Sequence, residues 1–207
     1  MVSYSLIDLA RTWLLVDFTQ FSMTLSLLSI IFIPVAWTTV ARNEYRNKTL
    51  TRMFRGNARY GCYFFAAIIF SAGLARDALY HRALADQPRR AMLPTPLDTL
   101  VPAALFLLGQ TLVVTSTWAL GITGTFHGDY FGIFMDHRAE GSPFKVLRDR
   151  MYKGSTLSFA AAALWYERPA GFLISLHVYG VYLIALRFEE PFTDVIYAGR
   201  AESQRSR

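Results

Sequence analysis

Two adjacent carboxylates, Glu189 and Glu190, stand in ALRFEEPFT (185–193) at the end of a strongly apolar stretch. A further acid, Asp129, stands with His127 in GITGTFHGDYFG (121–132), at the end of another such stretch. Carboxylates and histidines accept protons and hold cationic groups, so these positions are the first places to look for chemistry. A carboxylate at a helix C-terminus opposes the helix dipole, and a cytosolic membrane surface is itself anionic, so each of these acids needs a partner or a role. The four glycines of 121–132 either turn the chain out of a membrane or let backbone approach a ligand. Two more polar clusters adjoin apolar stretches, Ala41-Arg42-Asn43-Glu44-Tyr45 and Arg150-Met151-Tyr152-Lys153-Gly154-Ser155. The four histidines, His81, His127, His137 and His177, are scattered without ligand spacing, so no metal site is expected. No Ser–His–Asp signature, phosphate loop or Rossmann glycine pattern occurs.

Such residues can meet only if the apolar segments carry them to one end of a membrane bundle. The 207-residue chain is 53% apolar and 17% charged, and its mean hydropathy is positive, as expected of membrane spans rather than a soluble domain. Apolar stretches run over 18–41, 58–75, 100–120 and 154–186. Pro34 interrupts the first, which a buried helix tolerates with a kink. The fourth is broken at Tyr166-Glu167-Arg168-Pro169, and its first part is short against the ~20 helical residues that cross a bilayer core. The segments 154–166 and 170–186 therefore read as a helical hairpin with its far turn at 167–169. Residues 4–16 carry apolar side chains along one side, the pattern of an interfacial helix. The expected fold is an all-α integral membrane protein in one domain over 1–207: three transmembrane helices plus a C-terminal helical hairpin, preceded by an N-terminal interfacial helix. The single Cys62 excludes an internal disulfide, and the first long apolar run lacks the cleavage site of a signal peptide.

The hairpin decides which loops share a side. It groups loop 41–59, loop 122–153 and the C-terminal tail, and sets the N-terminus and loop 76–98 opposite. The first group holds Arg42, Arg46, Lys48, Arg52, Arg55 and Arg59, then Arg138, Lys145, Arg148, Arg150 and Lys153, then Arg187, Arg200, Arg205 and Arg207. That is fifteen of the 21 Lys and Arg residues; the other side has Arg11, Arg76, Arg82, Arg89, Arg90 and Arg168. Cytoplasmic loops carry the Lys/Arg excess, so the polar loop and the tail are expected in the cytosol and the N-terminus across the membrane. Topology and anionic headgroups account for the net charge of +6, and no nucleic-acid partner is expected. The two ends of a hairpin are close in space, which brings Tyr152 and Gly154 toward Glu189 and Glu190.

The segments VARNEY (40–45), LGITGTFHGDYFGI (120–133), SPF (142–144), MYKGSTLSF (151–159) and ALRFEEPFT (185–193) occur in order between spans of matching length. Over nearly the whole chain this pattern resembles the phospholipid methyltransferase family. The resemblance implies S-adenosylmethionine as methyl donor, a membrane phospholipid as acceptor and an endoplasmic reticulum location, in which the charge distribution above makes the N-terminus lumenal. The implied reaction is N-methylation of phosphatidyl-N-methylethanolamine and its dimethyl product to phosphatidylcholine. In the family the donor site is assigned to a GxG in the third span and to the paired glutamates before Pro-Phe, which carry over to Glu189 and Glu190. The GxG position here reads Leu107-Leu108-Gly109, so only Gly109 remains. Tyr152, Gly154 and Gly124 complete the expected cofactor-binding set. The usual family picture puts the loop equivalent to 122–153 in the lumen, whereas the charge distribution here puts it in the cytosol.

The implied reaction makes three demands. A headgroup amine is mostly an ammonium at neutral pH and must lose a proton before it attacks; Asp129 is the first candidate base, followed by His127 and Glu44. Donor and acceptor must be held in line. The site must also accept methylated cations, for which Tyr130, Phe131 and Tyr152 offer aromatic faces, while Arg42 suits the lipid phosphate. Two other readings stay open. One is a membrane methyltransferase with another acceptor, such as a prenylcysteine carboxylate, which is already a nucleophile and needs no base. The other is a non-catalytic lipid-binding or scaffold protein.

Overall fold

The computed structural model describes residues 16–135 and 143–205, with side chains of the second segment described from Arg150 onward. The expected interfacial helix over 4–16, Ser142 of the SPF motif, and the side chains of Arg11, Arg138, Lys145, Arg148 and Arg207 lie outside the described residues. The described elements are helical: α1 (Phe21–Asn47), α2 (Thr49–Met53), α3 (Ala58–Ala85), α4 (Leu97–Thr125), a 3-10 turn (Gly128–Phe131), α5 (Pro143–Trp165) and α6 (Ala170–Arg205). α1, α3, α6 and the segment Leu97–Phe131 are each long and apolar enough to cross a membrane. Helices satisfy their own backbone polar groups, so their outer faces can present Phe32, Val35, Leu107, Trp118 and Leu176 to lipid, all well exposed.

The bundle closes around side chains from four helices: Met23 and Ile30 of α1, Tyr80 and Leu84 of α3, Tyr152 and Phe159 of α5, and Ile174, Val178 and Tyr182 of α6. α4 packs against α5 through two facing glycines. A Cβ on Gly109 would lie 2.6 Å from the Gly154 carbonyl oxygen, and one on Gly154 would lie 2.5 Å from that of Gly109. Small residues let membrane helices approach in this way, and the contact area compensates for the missing hydrophobic drive inside lipid.

Three boundaries differ from the sequence expectation. α3 continues from the expected span end at Ala75 to Ala85, so Arg76 is a bundle residue rather than a loop charge. Its guanidinium is 2.5 Å from the Tyr182 hydroxyl, 2.8 Å from Asp77 and 5.0 Å above the Phe159 ring. A guanidinium in the bundle needs such partners, and hydropathy alone does not show them. Second, the first arm of the hairpin begins at Pro143 rather than Gly154 and has 23 residues. Two of its polar positions pair with neighbouring helices: Ser158 Oγ accepts from Gln110 Nε2 at 2.9 Å, and Ser155 Oγ lies 3.4 Å from the Tyr182 hydroxyl. An arm that buries its serines against neighbours can span with fewer apolar residues. Third, α4 passes Leu120 and ends at Thr125, with Gly121 at φ 65° breaking the helical path just past the expected exit.

The far turn of the hairpin meets the other end of the bundle. Arg90 N–H donates to the Glu167 carbonyl at 2.8 Å, Arg89 pairs with the Glu167 carboxylate at 2.7 Å, and the Arg168 guanidinium donates to the Gln87 carbonyl. Gln87 in turn exchanges two 2.8 Å hydrogen bonds with the backbone of Asp17. Residue 17, segment 86–90 and turn 167–168 thus share one end, and the polar clusters gather at the other.

Candidate active site

Glu189 of α6 is 1% exposed, and a carboxylate so placed must be met by donors. Trp37 of α1 donates its indole N–H to Glu189 Oε1 at 3.0 Å. Tyr152 of α5 approaches Oε2 with its hydroxyl at 3.4 Å, and His127 Nε2 lies 3.9 Å from Oε1. Three helices and the loop after α4 therefore converge on one carboxylate. The helical period explains the arrangement. Trp37, Ala41 and Glu44 follow one another at i, i+4 and i+7 along one face of α1, and Glu189, Thr193 and Ile196 do the same on α6. Glu190 falls off that face and is only half-buried, so the two glutamates are not an equivalent pair.

The 3-10 turn frames the site. His127 precedes it in the left-handed region at φ 58°, and Gly132 follows at φ 81°, a conformation glycine adopts without a Cβ clash. Within it, Asp129 and Tyr130 are buried. The Tyr130 ring stacks on Phe192 at 5.3 Å and meets the His127 ring edge-on at the same distance. Arg42 places its guanidinium 4.9 Å over Phe192 and donates through Nη2 to the Phe188 carbonyl at 2.7 Å. The buried hydroxyls of Thr193 and Thr125 have no hydrogen-bond partner among the described residues.

The structure thus gathers Glu189, Tyr152, His127, Asp129, Tyr130 and Arg42 at one membrane end. Other sequence expectations are placed elsewhere. Gly109 and Gly154 fill the α4–α5 contact, which leaves that face no room for a cofactor. A Cβ on Gly124 would run into the Met135 sulfur, so this glycine serves the fold-back of the chain after α4. The Glu44 carboxylate accepts from Leu50 N–H at 2.6 Å, Thr51 N–H at 3.1 Å and the Thr51 hydroxyl at 2.5 Å. With those bonds it holds the first turn of α2 and is not available as a base. Phe131, 3% exposed, packs against Phe65 with ring centroids 6.0 Å apart, and so faces the core rather than a headgroup. Trp37, Thr193 and Phe192 are the site residues that sequence reasoning missed. The i+4 and i+7 spacing to Ala41 and Glu44, and the i+4 spacing from Glu189, were the available signals.

Comparison with known proteins gives this geometry a family. The family model for phospholipid methyltransferases matches residues 97–200. Phosphatidyl-N-methylethanolamine N-methyltransferase of Neurospora crassa is 52% identical over 185 residues, covering 89% of this chain and 86% of that protein. The Saccharomyces cerevisiae enzyme of the same name is 48% identical over 191 residues, 92% of each chain. Phosphatidylethanolamine N-methyltransferase of Rattus norvegicus is 40% identical over 192 residues, 92% of this chain and 96% of its own. The chain belongs to the phospholipid methyltransferase family. No solved structure matches it. For a phospholipid methyltransferase the implied methyl donor is S-adenosylmethionine, and the residues at the site fit such a group. A buried carboxylate suits the positive charges of the donor, and the unpaired hydroxyls of Thr193 and Thr125 suit its polar edge. The matched segment carries Glu189, Tyr152 and the 3-10 turn, whereas Trp37 and Arg42 come from α1, outside it.

Proposed function

We propose that this phospholipid methyltransferase methylates the headgroup amine of phosphatidyl-N-methylethanolamine and of its dimethyl product, forming phosphatidylcholine. The observation that carries the reading is the buried Glu189 carboxylate, met by Trp37, Tyr152 and His127 at the membrane end of the bundle. The names of relatives up to 52% identical support the choice of acceptor. Bound S-adenosylmethionine supplies an electrophilic methyl group on a sulfonium. Glu189 holds the cationic part of that donor, with the Trp37 N–H fixing the orientation of the carboxylate. Asp129 accepts the proton of the headgroup ammonium, directly or through water, which frees the nitrogen lone pair for in-line attack. His127, two residues before Asp129 and 3.9 Å from Glu189 Oε1, carries that proton away. Arg42 holds the lipid phosphate. The basic residues at this end, Arg42, Arg46, Lys48, Arg52, Arg55 and Arg59 among them, favour a cytosolic site and an N-terminus in the lumen of the endoplasmic reticulum.

The test is transfer of labelled methyl from S-adenosylmethionine to defined phosphatidylethanolamines in detergent. Asp129→Asn is expected to lower kcat by about 10²–10⁴ while donor affinity stays, as for loss of a general base. Glu189→Gln is expected to weaken donor binding. Full activity of both variants would overturn the assigned roles.

A further inference from the structure

α1 and α6 diverge on the lipid side of the site and leave a groove of about 520 Å³. Its walls run from Ile31 to Arg42 on α1 and from His177 to Phe188 on α6. Eleven steps of 1.5 Å from the first to the last residue of each wall give a length of about 16 Å, half of the ~30 Å hydrocarbon core, which is the depth of one leaflet. The walls are mostly aliphatic and open sideways: Val35, Ile184 and Phe188 are 59%, 58% and 60% exposed. One charged residue lines it, Arg42, at the end nearest Glu189. Arg42 Nη2 is occupied by the Phe188 carbonyl, but its buried Nε has no hydrogen-bond partner among the described residues.

We infer that this groove holds an acyl chain of the acceptor phospholipid, with the lipid phosphate against the Arg42 guanidinium at the groove's end. The inference rests on the acceptor class proposed above and adds where and how that acceptor is held. A phosphate against the Arg42 guanidinium, where it lines the groove, sets the headgroup amine toward Glu189, the residue after Phe188. The chains attached to that phosphate then fall along the groove, in the leaflet on the site's own side. A second apolar groove, between α1 and α3, is smaller at about 180 Å³ and has no charged residue along its walls, so nothing in it would fix a phosphate. Acyl chains therefore enter from the bilayer between α1 and α6, without leaving the hydrocarbon phase.

Gly180 offers a direct test. It lines the groove, and a Cβ added there meets no atom within 4 Å, so Gly180→Phe can place its ring in the groove without a clash at the Cβ. Gly73→Phe, on α3 and equally unobstructed, is the control. The probe is phosphatidyl-N-methylethanolamine with a diazirine in one acyl chain, irradiated with the full-length protein in nanodiscs and mapped by mass spectrometry. Label is expected on the groove walls, lost in Gly180→Phe and kept in Gly73→Phe. In parallel, Gly180→Phe is expected to raise KM for a long-chain acceptor by about tenfold, the scale at which pocket methylenes discriminate, and to leave that for a dihexanoyl acceptor unchanged. Label spread evenly over all lipid-facing helices, or a Gly180→Phe protein that labels and turns over like wild type, would overturn the groove. Cross-linking needs no turnover, so the two readings fail separately. Groove labelling without methyl transfer to any phosphatidylethanolamine supports the groove and refutes the proposed reaction, while transfer without groove labelling does the reverse.

Discussion

Trp37→Phe removes one hydrogen bond to the buried carboxylate. The substitution keeps an aromatic ring but removes the N–H that lies 3.0 Å from Glu189 Oε1. A hydrogen bond to a charged group contributes about 1.5–3 kcal/mol. At 1.4 kcal/mol per decade, its loss corresponds to roughly 10–150-fold in affinity for whatever Glu189 holds. Tyr152 cannot take over, because its hydroxyl serves the other oxygen at a longer 3.4 Å. The expected result is weaker binding of S-adenosylmethionine and S-adenosylhomocysteine by calorimetry, and a raised KM for the donor with little change in KM for the lipid. Because Trp37 also touches the core, a thermal melt in the same detergent shows whether the variant is folded. Donor affinity indistinguishable from wild type in a folded variant would refute the role given to the Glu189 carboxylate.

Two further outcomes follow from the packing. Gly154→Val drives a side chain into the Gly109 carbonyl at 2.5 Å and Leu112 Cβ at 2.9 Å, so it should destabilise the α4–α5 contact by about 1–3 kcal/mol. A thermal melt would register the loss, while donor affinity of the molecules that remain folded should match wild type. Glu44→Ala leaves the first turn of α2 without its cap, at a cost of about 0.5–2 kcal/mol, and kcat per folded molecule should be nearly unchanged; a kcat collapse in stable protein would return Glu44 to the catalytic candidates.

Charge and hydropathy carried much of the architecture. The break at Tyr166–Pro169 marked a hairpin, and the contacts of Glu167 and Arg168 with segment 87–90 put its turn at the end opposite Glu189. Helix lengths were less legible, because hydropathy registers lipid-facing apolar residues and not polar ones paired inside. Arg76 with Tyr182, and Ser158 with Gln110, are polar positions within helices for that reason. At the site, the paired glutamates were visible as a motif, but their inequivalence depends on which residue falls on the inner face of α6. Gly109, Gly154 and Gly124 were drawn toward the cofactor because glycine permits any close approach. Only coordinates tell a close approach to a ligand from one to a neighbouring carbonyl or a methionine. Trp37 was hidden by its place in an apolar run, where an indole reads as bulk and its single N–H goes unnoticed.

The division of the site between α1 and the rest of the chain separates two properties that usually constrain each other. The carboxylate proposed to receive the donor lies on α6, inside the segment 97–200 that marks the family, while the guanidinium proposed to face the phosphate and one wall of the groove belong to α1. Side chains such as Ile31 and Val35 touch the groove, whereas Trp37, two residues from Val35, turns to Glu189 on another side of the helix. On the proposed reading, lipid selectivity is tunable from one helix: the outer face of α1 can change to suit a membrane of different acyl composition while the carboxylate end of the site stays as it is.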